Sequence, residues 1–357
     1  MPRVCYTVLM CMVLLLEGGC TVLGPWSLTR DRFNYTSAIS DSWKDQMLVN
    51  LVMLRYGDPL VFVEVASIIS QYQLAGQMST LFSWSAPPAV NSQSVGGSAA
   101  YSERPTITYN LLAGHKFARS LMTPIPPAAV MSLIQAGYPS EFMLRLTVKA
   151  VNGIQNRSGA AMLGHNADPR FYELIRAMGR VQRSGAVGIR VQEEKKGEPT
   201  AVLVFSRDPD EAVEKDRRLI RELLGVNPQA VEFSMAFGMV PANDREIAIL
   251  SRSLLDILNE LSSGIEVPEI HVTEKRTYPT REEDVFEGQQ IATLIRIHSG
   301  KHKPDDAFAA VQYRGWWYWI DDRDFVSKRI FGFIMFLFTL VEEPSKEGTP
   351  IVTIPTN

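Results

Sequence analysis

The placement of the cysteines limits most strongly how this chain can fold. There are three, Cys5, Cys11 and Cys20, and none from Thr21 to Asn357. Arg3 and the apolar run from Val4 to Leu16 read as an export signal, because a membrane-spanning helix needs about 20 apolar residues and this run is shorter. An exported body of this kind has no disulfides to lean on, so burial of apolar surface must hold it together. Gly18 and Gly19 are the small residues a signal peptidase accepts. Cleavage after Gly19 removes Cys5 and Cys11 and leaves Cys20 as the new N-terminus. The expected division is a signal peptide over 1–19 and a lipidated N-terminus and tether over 20–37, with lipid on Cys20. An ordinary cleaved signal with a stray cysteine, or an uncleaved anchor, are the alternatives.

The stretch LLLEGGC resembles the bacterial lipobox, in which cysteine is acylated on sulfur. It departs at Glu17, since the aliphatic residue expected three before the cysteine is Leu16, four before it. Thr21, rather than Asp, follows Cys20. By resemblance to bacterial sorting signals this implies the outer membrane, lipid-anchored and facing the periplasm.

The whole chain is 46% hydrophobic and 21% charged, near the averages for globular proteins, with a net charge of −3. That balance gives no electrostatic footprint for nucleic acid. The pattern along the chain mixes hairpins with single helices and lacks regular β–α alternation. The expected class is therefore α+β, mainly antiparallel sheet with packed helices, with a possible split near 225–285 into two subdomains. A main domain spans 38–262, a charged linker 263–284, and a C-terminal meander plus helix 285–357.

Within the main domain, Ile39, Trp43, Met47, Leu51 and Leu54 recur at helical spacing and predict a helix from Ser37 to Tyr56. Residues 75–104 are rich in Ser, Gly, Ala and Gln with few charges. Long patternless loops are uncommon in compact domains. This one reads as a surface loop, or as an arm carrying Leu81, Phe82 and Trp84 to a neighbouring chain. Phe142, Leu144, Leu146 and Val148 alternate and predict a strand. Asp168-Pro169 opens a helix to Arg183. Asp208-Pro209 opens another, which Gly225 ends. The C-terminal unit reads as strands at 291–298, 307–313 and 316–320, a helix at 324–342 that is apolar nearly all round from Ile330, and a strand at 350–354.

No nucleophile elbow, H-E-x-x-H, phosphate-binding loop, dinucleotide fingerprint or C-x-x-C is present. His115, His165, His271, His298 and His302 lie far apart, and Gly300 between the last two argues against a metal pair on a helix. No catalytic residue, metal or cofactor is expected. WWYWIDDRD places Trp317 and Trp319 on one strand face, where they could stack on a sugar, beside Asp321, Asp322 and Asp324. The plainer reading is a half-buried strand followed by acidic residues at a helix start.

Four segments, SAISDSWKDQMLVNLVMLRYGDPLVFVEVASI, TPIPPAAVMSLIQAGYP, RLTVKAVNGIQNRSG and VQYRGWWYWIDDRDFVSKRIFGFIMFLFTL, together resemble a family of bacterial outer-membrane lipoproteins with no established activity. The resemblance runs over most of the mature chain and implies an exported, anchored protein, with no catalytic residues to carry over. The expected function is a non-enzymatic envelope lipoprotein, a structural or accessory subunit of an outer-membrane or periplasmic assembly. Its expected partners are the membrane and either an envelope protein or further copies of itself. The alternatives are a periplasmic glycan- or ligand-binding module and a hydrolase with a carboxylate site.

Overall fold

The computed structural model describes residues 23–69, 72–83, 92–104, 106–159, 164–192, 200–206 and 210–341. The expected strand at 350–354, Cys20 and Trp84 lie outside them. The chain divides into two compact units. One is Val61–Ala113; the other holds everything else. This differs from a division near 225–285, because residues 263–284 are folded onto the larger unit and not a linker. There Arg55 donates to the Tyr278 carbonyl at 2.6 Å, Thr277 Oγ1 donates to the Arg55 carbonyl at 2.6 Å, and a short helix spans Glu269–Thr273.

The class is α+β with mainly antiparallel sheet. Numbered in chain order, the larger unit is built on β5 (Val148–Val151), β6 (Ile154–Gln155), β7 (Val187–Gln192), β8 (Thr200–Phe205), β9 (Glu232–Phe237) and β10 (Glu246–Ser251). These form one sheet in the order β6-β5-β10-β9-β8-β7. Only β9 and β10 run parallel. Ala201, Leu203 and Phe205 alternate with half-exposed Val202 and Val204, so β8 buries one face. Ile247, Ala248 and Ile249 are buried in succession, as befits a central strand covered on both sides.

Helix α1 (Leu23–Arg55) precedes the sheet in sequence. It starts within the expected tether. Its first half offers no burial stripe to read, with Phe33 77% exposed, while Met47, Leu48, Leu51 and Val52 are fully buried. Helices α2 (His115–Met122), α3 (Pro127–Gln135), α4 (Ser140–Thr147), α5 (Pro169–Arg183), α6 (Glu211–Leu224), α7 (Leu254–Ser263), α8 (Glu269–Thr273) and α9 (Phe325–Val341) complete the set among the described residues. Helix α3 lies on β7, β8 and β9, while α5 bridges α4 and α6.

Local chemistry explains several boundaries. Asp168 accepts from the Arg170 N–H and Pro169 opens α5. Ser253 and Asp256 form a capping box on α7. Gly225 ends α6 at φ 63°, a left-handed position that favours glycine. Asp210, and not Asp208, stands at the N-cap of α6.

Helix α4 replaces the strand expected from Phe142, Leu144 and Leu146. The buried residues Met143, Leu144 and Thr147 keep helical spacing, and the alternation of leucines coincides with it only over this short run.

A three-stranded antiparallel sheet follows, β13 (His298–Gly300), β15 (Trp316–Asp321) and β14 (Ala307–Tyr313) in that order. It is preceded by a hairpin of β11 (Asp284–Phe286) and β12 (Gln289–Ile291). Asp324 then caps α9, accepting from Ser327 N at 3.0 Å and Ser327 Oγ at 2.6 Å. Helix α9 is not enclosed all round. Ile330, Phe331, Ile334, Leu337 and Phe338 are buried, but Phe325 is 67% and Phe336 45% exposed. Hydropathy alone does not distinguish the covered side of such a helix from the open one.

Ile334→Ala is therefore expected to lower the unfolding free energy by about 2–5 kcal/mol, the range for truncating a buried aliphatic side chain. Phe336→Ser is expected to cost a small fraction of that. Denaturant titration of the two variants checks this, and equal losses would contradict a one-sided helix.

Candidate functional site

The smaller unit is a single antiparallel ribbon. Its strands are β1 (Phe62–Ile69), β2 (Tyr72–Ser83), β3 (Ser92–Glu103) and β4 (Thr106–Leu112). β1 pairs with β4 and β2 with β3, each as a two-stranded sheet. The register set by Ile68↔Ile107 and Ile69↔Thr106 is the one kept from Tyr72↔Glu103 to Ser83↔Ser92. Much of the stretch expected to be a loop, 75–104, is therefore paired strand.

Register partners share a face, and successive residues alternate between faces. One face carries Leu74, Met78 and Phe82 with Tyr101, Ala99, Gly97 and Val95. The other carries Gln73, Gln77, Ser79 and Ser83 with Ser102, Ser98, Ser94 and Ser92. Gln77, Ser79, Ser98 and Ala100 are exposed. The grouping of Leu81 with Phe82 dissolves, because neighbours on a strand occupy opposite faces; Leu81 falls on the polar face, opposite Ser94.

A bulge keeps the pattern in phase. Between Val65↔Tyr109 and Ser67↔Thr108 one strand advances two residues and its partner one. Val63 and Val65, with Leu111 and Tyr109, thereby join the face that continues through Ile68 and Ile107. Without the bulge Val63 and Val65 would lie on the polar side, while Tyr109 and Leu111 keep the face of Ile107 by alternation along β4. Leu111, Tyr109 and Ile107 are 64%, 60% and 41% exposed.

The aromatic residues at 316–319 sit differently. Tyr318 is fully buried. Its hydroxyl lies 2.6 Å from that of Tyr56, which lies 2.6 Å from His271 Nδ1. Burial, ahead of the hydrogen bond to Tyr56, raises the Tyr318 pKa. Trp317 and Trp319 are half-buried. Lys303 Nζ stands 5.4 Å from the centre of the Trp317 ring, and the His298 ring 5.6 Å from that of Trp319. An ideal Cβ on Gly300 would come within 3.2 Å of Trp319. Both indoles thus pack against groups of this chain. Asp324 is spent on the helix cap, and Asp322 accepts from Lys328 Nζ at 2.6 Å.

Sequence reasoning missed a polar cleft of about 430 Å³ lined by Arg145, Asn156, Arg157, Tyr172, Glu260 and Thr293, among others. Glu260 is its lining carboxylate, and Asp284 interacts with two of its lining residues, Tyr172 and Arg157. Glu260 lies 3.3 Å from Arg252 and 3.4 Å from Arg157. Asp284 accepts from Tyr172 Oη at 2.7 Å and from the Ala167 N–H at 3.1 Å. Burial, then the bond to Asp284, raises the Tyr172 pKa. The buried Arg252 also donates to the carbonyls of Arg145, Leu146 and Arg157. Two guanidinium groups hold Glu260, whereas Asp284 accepts both its bonds on Oδ2, and its buried Oδ1 has no hydrogen-bond partner among the described residues, with Arg157 3.7 Å away. Among the described residues no group of three metal-ligating side chains is present. No helix among them is long and apolar enough to cross a membrane.

No protein-family model, curated protein or solved structure matches the chain.

The buried His271, 3% exposed, gives the larger unit a pH signature. Burial, then nearby Arg276, lowers its pKa below the ordinary 6.5. The unfolded chain binds that proton near pH 6.5, while the folded chain resists it until lower pH. The stability from neutral His271 is therefore present above about pH 6.5 and lost as pH falls through the folded-state pKa. His271→Gln is expected to flatten the decline of melting temperature between about pH 7 and 5. An unchanged slope would remove His271 as its source.

Proposed function

We propose that this protein is a non-enzymatic envelope lipoprotein, held at the outer membrane through lipid on Cys20 and serving as a structural subunit of an envelope assembly. The observation that carries the reading is the ribbon. Among the described residues β2 pairs with β3 alone, and a two-stranded pairing by itself is marginal in water. A twelve-residue pairing of β2 with β3 with faces of opposite polarity is suited to a partner, and further copies of this chain supply a matching edge.

Four other observations support the assignment. The leader ends at a lone cysteine, the chemistry of a lipid anchor. Four segments resemble bacterial outer-membrane lipoproteins. Glu260, the carboxylate lining the polar cleft, is held by Arg157 and Arg252, which favours a structural role over hydrolysis. The half-buried Trp317 and Trp319 are covered by Lys303 and His298, which weighs against a glycan platform.

Membrane fractionation and complex sizing of two variants test this reading. Cys20→Ser is expected to move the protein to the soluble periplasmic fraction, since each buried acyl CH₂ contributes about 0.8 kcal/mol to anchoring. Replacing residues 72–103 with a two-residue Asn-Gly turn is expected to leave melting of the body unchanged while the detergent-extracted complex falls to monomer size. Unchanged partition in the first variant defeats the anchor, and unchanged complex size in the second defeats the assembly role of the ribbon.

A further inference from the structure

We propose that β2 and β3 cross the hydrocarbon layer of the outer membrane as one hairpin of a β-barrel closed by copies of this chain, the face with Gln77 and Ser98 lining a neutral aqueous channel. This rests on the outer-membrane reading above and adds what each face of the ribbon meets there.

Length is the first argument. Each strand has 12 residues. At about 3.3 Å per residue and a tilt of about 40°, that spans about 30 Å, enough for the roughly 25 Å apolar band of outer-membrane barrels. The second argument is charge. From Val65 to Ser102 the sequence contains no Asp, Glu, Lys, Arg or His, in a chain that is 21% charged overall. A ribbon made for water has no reason to exclude charge, whereas one entering hydrocarbon does, because charge on a lipid-facing strand is strongly disfavoured. Glu103 and Arg104 bring charge back at one end of the β2–β3 pairing.

Third is the pattern. Apart from Glu103 and Gln93 near the two ends, one face carries apolar and small residues with Thr80, and the other carries Gln and Ser with Ala75, Leu81, Gly96 and Ala100 between them, which follows the apolar-out, polar-in period of a barrel wall. Aromatic residues recur along the apolar face, with Phe82 toward the turn and Tyr101 and Tyr109 toward the other end. This is the girdle arrangement seen where strands pass the membrane interfaces.

Edges decide the oligomer. Among the described residues β2 pairs with β3 alone, and a strand in hydrocarbon needs a partner strand on each edge. Rotational copies solve this, because the free edge of β2 in one copy meets the free edge of β3 in the next, antiparallel as in the hairpin itself. Closure then leaves no edge. A barrel wide enough for a water-filled lumen has about 16 strands, so about eight copies at two strands each. The lumen ring is amide and hydroxyl, without charge.

The chain is suited to a direct test, since no cysteine follows Cys20 and an acylated Cys20 leaves an introduced thiol unique. Single variants Leu74→Cys, Met78→Cys and Ala99→Cys mark one face; Gln77→Cys, Ser98→Cys and Ala100→Cys mark the other. Each full-length lipoprotein is labelled with an environment-sensitive fluorophore, reconstituted in phospholipid vesicles and sized as an oligomer. Lipids brominated on the acyl chain are expected to quench the first set at least about twofold more than the second, with iodide in water showing the reverse. The unmodified protein, in vesicles containing a photoreactive acyl-chain probe, is expected to take up label within 72–103, which keeps the test independent of any one variant. If an intact, membrane-bound oligomer shields the first set from both quenchers, a protein partner covers that face. The crossing is then wrong while the assembly reading stands. Equal iodide access at all six positions in an intact oligomer also overturns it. A lipidated protein that remains monomeric removes both.

Discussion

Backbone hydrogen bonding constrains this molecule most. Each strand of a sheet must satisfy two edges, and the ribbon from Phe62 to Leu112 provides one partner per strand. In water the open edges are solvated and the ribbon is marginal. Away from water they must meet another strand. The pairs from Ser67↔Thr108 to Ile69↔Thr106 and from Tyr72↔Glu103 to Ser83↔Ser92 keep one phase, so the faces of the two pairings correspond. The bulge between Val65 and Ser67 keeps Val63 and Val65 on the apolar face that Ile107, Tyr109 and Leu111 share by alternation along β4. A single shift of register would exchange the faces, and the bulge is where that shift is absorbed.

The larger unit meets the opposite requirement, which is to hold together without disulfides. It does so with an apolar core and with charged groups used as fasteners. Arg252 collects three backbone carbonyls and Glu260. Arg55 ties the end of α1 to the segment carrying His271. Buried ion pairs of this kind add little net stability over apolar packing, but losing one partner is costly. Their effect here is to fix loops that hydrophobic contact would leave free to slide. Tyr56, Tyr318 and His271 form a similar fastener built from hydroxyls and an imidazole.

The parts legible in the sequence are those set by local chemistry. Asp168-Pro169, Gly225 and the acidic start of α9 mark ends that the structure reproduces, and the strands expected at 307–313 and 316–320 are present, whereas the one expected at 291–298 is not: the strand there is His298–Gly300 and 292–297 is irregular. Helix α4 was not legible, because over eight residues its burial spacing overlaps with strand alternation. The cleft was not legible either, because Arg157, Arg252, Glu260 and Asp284 are distant in sequence and only the fold assembles them. The ribbon hid for a third reason. Its apolar face includes Gly76, Thr80, Gly97 and Ala99, which hydropathy scores as neutral, and Ser, Gly and Ala are weak strand formers. Alternation of this strength is recognisable only once pairing places Leu74 opposite Tyr101 and Gln77 opposite Ser98.

The central claim is that the ribbons close into a water-filled wall. Its most direct test is electrical, with the unmodified lipoprotein oligomer in planar bilayers. A lumen lined by Gln77, Ser79, Ser98 and Ser102 without charge predicts discrete conductance steps, present on both signs of voltage, with little preference between small cations and anions. Bilayers that contain the intact oligomer and remain electrically silent would contradict the account.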